Sequence, residues 1–321
     1  MKALILGLGQ DAILAAKECQ NLGVDYRILV RRSSGLVSKV RDNQIDNERI
    51  IYQEIISYVA LLKVKERFDY THVYNFAGNS FVQDSKINFQ YFIETNSKIL
   101  WSLLNVSEML DDLWIFHPLS SEILVSAEQM SSVSGRLSPR NAYGIAKAVD
   151  YHVSEVFREE SGKKLHSCII FNHESSLRPP QFFTKKVCSY FSERDPKREL
   201  SIYNAKSKRD WGSAPEFVKL ILDSGTRGYS GTSELGTGHL MSVEAFIDNC
   251  FNLSMFDFEK KTNNGLITWR SSRHTIIERS RNRLDVERVV CSDTAKVKGA
   301  FRVNPKCFGK DLVRALLSNE I

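Results

Sequence analysis

Short apolar runs alternate with amphipathic segments along the first half of the chain. Lys2–Leu6 is an apolar run of strand length that ends at Gly7. The next apolar positions recur at helical spacing from Ala12 to Leu22, and a second apolar run covers Asp25–Val30. The chain therefore opens with a strand, a glycine-containing turn, a helix and a strand, and this order predicts a βαβ unit with a parallel sheet.

The alternation continues to about residue 172 and then weakens. It predicts strands at Thr71–Phe76, Leu113–Phe116 and His166–Phe171, and helices at Gln90–Leu104 and Tyr143–Glu160. We therefore expect an α/β protein with a Rossmann-type, doubly wound parallel sheet over residues 1–172. Residues 173–321 mix glycine-rich loops with short apolar runs, which predicts a smaller α+β substrate lobe with later segments that return to the first domain.

The composition excludes several classes of protein. Of the 321 residues, 42% are hydrophobic and 26% are charged, which is ordinary for a soluble globular chain and excludes a disordered or collagen-like one. The net charge of +6 comes from scattered basic residues, a distribution that suits phosphate groups of a small ligand better than nucleic acid. The six cysteines lack metal-site spacing and no apolar run has membrane-spanning length, so we expect a cytoplasmic protein with reduced thiols, no metal and no membrane contact.

The turn after the first predicted strand has the pattern G-x-G-x-x-A. Its glycines allow the backbone to approach a pyrophosphate, and the N-terminus of the following helix supplies N–H donors and a positive dipole. The pattern predicts that Gly7, Gly9, Gln10 and Asp11 contact a dinucleotide cofactor. The alternative is a plain turn between a strand and a helix, since the motif is short.

Two arginines follow the second predicted strand, where dinucleotide-binding folds contact the adenosine ribose. An acidic residue at this place favours a free 2′-hydroxyl group, whereas arginine favours a 2′-phosphate. The segment here contains Arg31, Arg32 and Ser33 and no acidic residue, which favours NADP over NAD. The alternative is a basic loop in contact with solvent.

A Tyr-x-x-x-Lys pattern begins the predicted helix after residue 142. Tyr143 and Lys147 share one face of a helix, and an ammonium group beside a phenol is expected to lower the pKa of the phenol. A phenolate can take a proton from a sugar hydroxyl group. Ser120, which follows a predicted strand, strengthens this interpretation over the alternative of a packed tyrosine and a solvated lysine.

Taken together, these motifs resemble the extended short-chain dehydrogenase/reductase family. The chain is most similar to its GDP-mannose 4,6-dehydratase branch, and the resemblance covers nearly the whole sequence. Residues 75–78 match the wider family, and the segments that resemble the branch are residues 30–34, 120–122, 138–143, 171–175, 183–186, 208–212 and 292–298. The Asn-His-Glu-Ser segment at 172–175 and the Lys-Arg-Asp-Trp-Gly segment at 208–212 are specific to that branch.

The resemblance implies a role for each matching residue. It implies a catalytic set of Ser120, Glu122, Tyr143 and Lys147, cofactor contacts by Asn75, Ala77, Gly78, Tyr143 and Lys147, and substrate contacts by Asn172, Glu174, Lys186, Arg209 and Arg283. In the implied reaction NADP⁺ accepts hydride from C4 of a GDP-sugar, water is eliminated across C5 and C6, and hydride returns to C6. The resemblance also implies a homo-oligomer, a dimer or a tetramer, and a role in cell-surface polysaccharide biosynthesis.

Two alternatives to a GDP-mannose dehydratase stay open at this point. The first is a reductase or epimerase of the same fold that acts on a GDP-4-keto-6-deoxy sugar, a reaction that does not require Glu122. The second is a nucleotide-binding protein without catalytic activity. It is favoured by the altered glycine turn, which is one residue shorter than the family's and has Ala12 in place of its third glycine.

Overall fold

The computed structural model describes residues 1–31, 40, 42–53, 56–78, 89–124, 137–192, 199–280 and 289–321. Its strands are β1 Lys2–Leu6, β2 Asp25–Val30, β3 Ile50–Tyr52, β4 His72–Asn75, β5 Trp114–Ser120, β6 Lys164–Ile170, β7 Asn172–Glu174, β8 Leu200–Ile202, β9 Lys208–Ser213, β10 Gly231–Leu235, β11 Leu240–Ser242, β12 Phe258–Asn263, β13 Leu266–Ser271 and β14 Thr275–Glu278. Its helices are α1 Gln10–Asn21, α2 Tyr58–Arg67, α3 Phe89–Met109, α4 Ala142–Ser161, α5 Phe183–Ser192, α6 Ala214–Thr226, α7 Val243–Leu253, α8 Thr294–Phe301 and α9 Gly309–Leu317.

A parallel sheet of seven strands forms the centre of the molecule. The strands lie in the order β3-β2-β1-β4-β5-β6-β10, and each neighbouring pair is parallel. The order of the first six is that of the doubly wound dinucleotide-binding fold. The Rossmann-type fold predicted from the sequence is confirmed, and the last strand of this sheet comes from the second half of the chain.

Both faces of this sheet are covered by helices because successive side chains of a strand point in opposite directions. In β1, Ala3 and Ile5 pack into a core with α1, α6 and α8, whereas Leu4 and Leu6 pack into a second core with α2 and α3. All four side chains are fully buried. This two-sided burial explains why the strand sequence is a continuous apolar run rather than an alternating one.

The rest of the second half forms two small sheets. The three-stranded sheet has the order β11-β9-β7, and the four-stranded sheet has the order β12-β13-β14-β8. Their strands share a separate core with α5, α7 and α9, in which Trp211, Phe246 and Trp269 are buried. Strand β7 begins two residues after β6 ends, so it connects the large sheet directly to this lobe.

The predicted bounds of two elements, one strand and one helix, are wrong. The strand predicted to end at Phe116 continues to Ser120, and the helix predicted to end at Leu104 continues to Met109. The polar His117 interrupts the apolar pattern in the sequence. It is nevertheless fully buried in the strand, and both ring nitrogens have hydrogen-bond partners that offset the cost of burial. Among the helices that the structure describes, none combines the length and the apolar character needed to cross a membrane.

Candidate active site

A cavity of about 460 Å³ opens where the carboxyl ends of the central strands meet the smaller lobe. It is lined by residues that follow β4, β5 and β6, by the beginnings of α1 and α4, and by β7, β9 and α5. This is the crevice in which open α/β sheets bind their ligands, since the strand order reverses between β1 and β4.

Ser120 reaches this cavity because it is the last residue of β5. Its neighbour across the parallel register is Ile170, the last residue of β6. The chain then forms a short 3-10 turn over Ser121–Ile123, and the Ser120 Oγ atom accepts a hydrogen bond from the Glu122 backbone N–H at 3.2 Å. This cap places Ser120 and Glu122 on the same side of the turn, where both line the cavity.

The start of α4 fixes the Glu122 carboxylate. Asn141 caps the helix by accepting the Gly144 N–H at 2.8 Å, and its amide Nδ2 donates to Glu122 Oε2 at 3.0 Å. The two segments touch closely, since a β-carbon placed on Gly144 would lie 2.8 Å from the Glu122 carbonyl oxygen. The glycine within the Tyr-x-x-x-Lys pattern is therefore required by the packing of α4 against the Glu122 turn.

Tyr143 lines the cavity and forms a hydrogen bond with the Ser120 hydroxyl group. Desolvation raises the pKa of the Tyr143 phenol to about 12, and it outweighs the opposing effects of the Ser120 hydrogen bond and the Arg178 charge. The sequence-based expectation that Lys147 lowers this pKa is wrong for the protein alone. The Lys147 ammonium group instead donates to the Pro118 carbonyl oxygen at 2.8 Å and to Asp150 Oδ2 at 3.4 Å.

The glycine turn approaches the end of β4 very closely. Gly7 has a φ of +96°, and a β-carbon there would lie 3.0 Å from the Ala77 Cα atom. On the other side, Gly78 has a φ of +154°, and a β-carbon would lie 2.9 Å from the Asn96 side-chain oxygen. Only glycine combines these backbone angles with this space, so the turn keeps the open cradle that a cofactor pyrophosphate needs.

The residues after Gly9 have different places. Gly9 is the N-cap of α1 and has no side chain to occupy the first N–H groups of the helix. Asp11 lines the cavity, and its carboxylate contacts His173 Nε2 at 3.1 Å. Gln10 is buried and is not among the cavity residues; its amide donates to the His173 carbonyl oxygen at 3.2 Å and accepts from the Ser175 hydroxyl at 2.8 Å.

The other residues predicted to contact the cofactor are divided between cavity and interior. Ala77 and Gly78 line the cavity. Asn75 is buried behind them, where its Oδ1 accepts the Ala77 N–H at 3.1 Å. Arg31 is exposed just after β2. Arg32 and Ser33 lie outside the described residues.

Three of the five residues predicted to contact the substrate line the cavity: Asn172, Glu174 and Arg209. Lys186 is not among the lining residues, because its ammonium group donates to the Ser201 carbonyl oxygen at 3.1 Å. Arg283 lies outside the described residues. Of the basic residues predicted to contact the substrate, Arg209 is thus placed in the cavity. Its Nη1 atom donates to Ser207 Oγ at 2.8 Å.

The comparison with known families agrees with this geometry. The model of the GDP-mannose 4,6 dehydratase family matches residues 4–316. The chain belongs to this family. The GDP-mannose 4,6 dehydratase of Homo sapiens is 26% identical over 267 residues, which cover 78% of this chain and 71% of that protein. The corresponding protein of Sinorhizobium fredii (strain HH103) is 27% identical over 267 residues, which cover 78% of this chain and 75% of that protein.

Solved structures share the fold at lower sequence identity. The dTDP-glucose 4,6-dehydratase of Bacillus anthracis, solved with NAD, has a TM-score of 0.79 at 15% identity and covers 100% of this chain and 96% of that chain. The UDP-glucose 4-epimerase of Thermotoga maritima, solved with UDP-glucose, has a TM-score of 0.78 at 16% identity and covers 100% of this chain and 98% of that chain. Dehydratases and epimerases therefore share this architecture, and the residues of the site must decide between the two reactions.

Arg178 is a cavity residue of this family member that the sequence analysis missed. Its side chain is 14% exposed, pairs with Glu174 Oε2 at 3.2 Å and stacks on the Phe182 ring at 3.9 Å. The Nε atom makes the contact with Glu174, at ion-pair distance but without hydrogen-bond geometry. A guanidinium held in this way is suited to bind an anionic ligand group. The available signal was its spacing of four residues from Glu174, the last residue of β7.

Glu174 itself is mainly engaged with protein groups. It is buried and accepts a hydrogen bond from the Thr184 hydroxyl at 2.6 Å, in addition to its pairing with Arg178. This places the carboxylate between the loop after β7 and helix α5. Glu174 thus joins the wall of the cavity to α5, and Arg178 is the cation that it orients.

Proposed function

We propose that the chain is an NADP-dependent sugar-nucleotide 4,6-dehydratase that acts on GDP-mannose or a related GDP-sugar. Family membership supports a sugar-nucleotide dehydratase. The observation that carries the choice of reaction is the Glu122 carboxylate, which lines the same cavity as Ser120 and Tyr143 and is held by Asn141 at 3.0 Å. An elimination needs a second base beside the redox pair, whereas a simple reduction does not.

The cofactor cradle fits a dinucleotide. The turn at Gly7 and the segment at Gly78 leave space that a β-carbon would fill, and Gly9 leaves the first N–H groups of α1 without a side-chain cap. When bound, a nicotinamide cofactor accepts hydride from the sugar C4 and returns it to C6. The preference for NADP is supported by Arg31 after β2 and by the absence of an acidic residue in that segment of the sequence.

In the proposed reaction, the hydrogen-bonded pair Ser120 and Tyr143 receives the hydroxyl group at C4. Tyr143 takes the hydroxyl proton as hydride leaves C4, and Ser120 donates to the oxygen as it becomes a carbonyl. The C4 carbonyl acidifies the proton at C5. Glu122 removes this proton and returns it to the C6 hydroxyl group, which leaves as water. As hydride returns to C6, C5 takes up one proton, which balances the proton that Tyr143 took from the C4 hydroxyl group. One water is lost and no external oxidant is used.

The nucleotide end of the substrate is proposed to lie toward the smaller lobe. Arg209 and Asn172 line that side of the cavity, and a guanidinium pairs well with phosphate oxygens. Lys186 stays a contact that is predicted from the sequence alone, since its ammonium group donates to the Ser201 carbonyl oxygen in the structure. The division of the chain at residue 172, the cytoplasmic location and the homo-oligomeric assembly also stay predictions.

The test is mass spectrometry of GDP-mannose incubated with the purified protein and NADP⁺. We expect a product lighter by one water, formed without net reduction of the cofactor. The Glu122→Gln variant keeps the size of the side chain and an oxygen that can accept from Asn141, but it removes the base. It should therefore stop water loss. Water loss that is unchanged in Glu122→Gln shows that Glu122 is not the base of the elimination, and turnover without any water loss indicates a reductase or epimerase. The absence of both turnover and NADP⁺ binding indicates a non-catalytic protein.

A further inference from the structure

A group of buried polar side chains lies directly behind the Lys147 ammonium group. Asp150, one helical turn further along α4, is 1% exposed, and His117 on β5 is fully buried. Asp150 Oδ2 lies 3.4 Å from Lys147 Nζ and 3.0 Å from His117 Nε2. Asn75 Nδ2 lies 3.0 Å from the other ring nitrogen of His117.

The hydrogen-bond directions in this group are determined by one backbone contact. The Ala77 N–H donates to Asn75 Oδ1 at 3.1 Å, so the Asn75 nitrogen is the donor toward His117 Nδ1. His117 Nδ1 is then an acceptor, and the proton of the neutral ring is on Nε2, which donates to Asp150. Burial lowers the pKa of His117, which agrees with a neutral ring.

The group therefore contains one buried ion pair, formed by Lys147 and Asp150. The Lys147 ammonium has three protons, of which one is directed to the Pro118 carbonyl and one to Asp150. The third is available to the cavity that Lys147 lines. The direction of this third proton depends on the two contacts that hold the other protons.

We propose that Asp150 is a positioning residue for Lys147, and that His117 joins this ion pair to the Asn75–Gly78 segment on the cofactor side of the cavity. The proposal rests on the proposed function, in which Lys147 supports Tyr143 and the cofactor. Asp150 keeps the buried ammonium charged and turned toward Pro118, and Asn75 connects the same chain to Ala77, which lines the cavity. An ordinary buried polar cluster would stabilise the fold without affecting the protonation state of the catalytic groups.

The pH dependence of turnover distinguishes these roles. The groups whose charges act on Tyr143 are Glu122, Arg178 and Asp150, and those that act on Asp150 are Lys147 and His117. Asp150→Asn removes a negative charge, so the pKa of Lys147 and that of Tyr143 both fall. The acid limb of the pH profile of kcat, set by Tyr143, and the alkaline limb, set by Lys147, should therefore both move to lower pH. The alkaline limb should move by about one unit or more.

The first experiment compares Asp150→Asn with Ser154→Ala in steady-state kinetics over a range of pH. Ser154 lies one turn further along α4, is equally buried, and its hydroxyl has no partner among the described residues, so it is a matched control. We expect Asp150→Asn to lower kcat by about 10²-fold with little change in KM, as a misplaced catalytic group does. Ser154→Ala should keep the wild-type profile. An Asp150→Asn profile that matches the wild type overturns the proposal.

A second pair of measurements covers a variant that does not fold or an enzyme without the proposed activity. Asp150→Glu keeps the charge but lengthens the side chain, so it should keep the alkaline limb in place and lower kcat. Thermal unfolding of Lys147→Met, Asp150→Asn and the double variant needs no substrate, and the two losses in Tm should be clearly less than additive. Additive losses refute the ion pair. If the losses in Tm are non-additive but the protein has no turnover, the ion pair is supported and the proposed function is refuted.

Discussion

The two sides of the cavity differ in how their side chains are held. On the side of the large sheet, Ser120, Glu122 and Tyr143 are joined by hydrogen bonds between a strand end and the following helix, and these bonds lie within residues 120–144. On the side of the smaller lobe, Arg209 is on a strand beside Asp210, which binds Thr237 and Ser292 from distant parts of the chain. A site built from nearby segments can be predicted from motif spacing, whereas one built from distant segments depends on the fold.

The largest effect is expected on the side of the large sheet, at Tyr143. Tyr143→Phe removes the only group proposed to take the C4 hydroxyl proton and keeps the ring. We expect kcat to fall by roughly 10²- to 10⁴-fold, the usual contribution of a general base. Steady-state turnover of GDP-mannose with NADP⁺ measures this, and binding of NADP⁺ by calorimetry should change little. A variant with more than a tenth of wild-type kcat would place the base elsewhere.

Arg209 and Lys186 provide the sharpest contrast on the side of the smaller lobe. Arg209 lines the cavity, whereas the Lys186 ammonium is engaged with the Ser201 carbonyl oxygen. Loss of a charge-assisted contact to phosphate corresponds to about 1.5–3 kcal/mol. Arg209→Met should therefore raise KM for the sugar nucleotide by about 10- to 100-fold, and Lys186→Met should leave it within about twofold. Equal effects would show that Lys186 turns into the site when substrate binds.

The same contrast decides how much of the site the sequence could predict. The Tyr-x-x-x-Lys spacing and the strand before Ser120 were enough, because helical and strand geometry alone bring these residues to one sheet edge. Arg178 was missed because its partners Glu174 and Phe182 lie four residues away on either side in a segment that is not a helix, so no helical pattern predicts these contacts. The pKa of Tyr143 was predicted in the wrong direction because burial of the phenol raises it, and because Lys147 contacts Asp150 of the same helix.

The fold shows the same division. The order of strands and helices up to β6 follows from apolar runs, since both faces of the sheet are covered. The return of β10 to the edge beside β6 could only be expected in outline, because pairing across 65 residues between Gly231 and His166 leaves no local pattern. Strand β5 was predicted too short because a buried, hydrogen-bonded His117 resembles the end of an apolar strand in sequence.

Substitution of Gly144 tests whether helix α4 must lie so close to the Glu122 turn. A β-carbon there would lie 2.8 Å from the Glu122 carbonyl oxygen, so Gly144→Ala should lower the free energy of unfolding by about 1–3 kcal/mol through overpacking. Gly299→Ala is the matched control, since Gly299 is an exposed helical glycine with nothing within 4 Å of the added carbon. It should raise stability by up to about 1 kcal/mol. Urea unfolding measures both, and equal changes would contradict the close packing.

The smallest effect concerns the pair that joins the two sides, Asp11 and His173, whose side chains meet at 3.1 Å. Burial alone would raise the pKa of Asp11 and lower that of His173, but their mutual attraction outweighs it, so the Asp11 pKa falls below 3.8 and the His173 pKa rises above 6.5. The stability from Asp11 is lost as pH falls through its folded pKa, and that from His173 is lost as pH rises through its folded pKa. Asp11→Asn should therefore lower the free energy of unfolding most between about pH 4 and 6.5, by about 1 kcal/mol, and less at pH 8. Urea unfolding at these pH values measures the difference, with Asp223→Asn, an exposed partner of Arg227, as the control that should show no such maximum. A loss that is independent of pH would mean that His173 is neutral throughout and that Asp11 acts only as a hydrogen-bond acceptor at the start of α1.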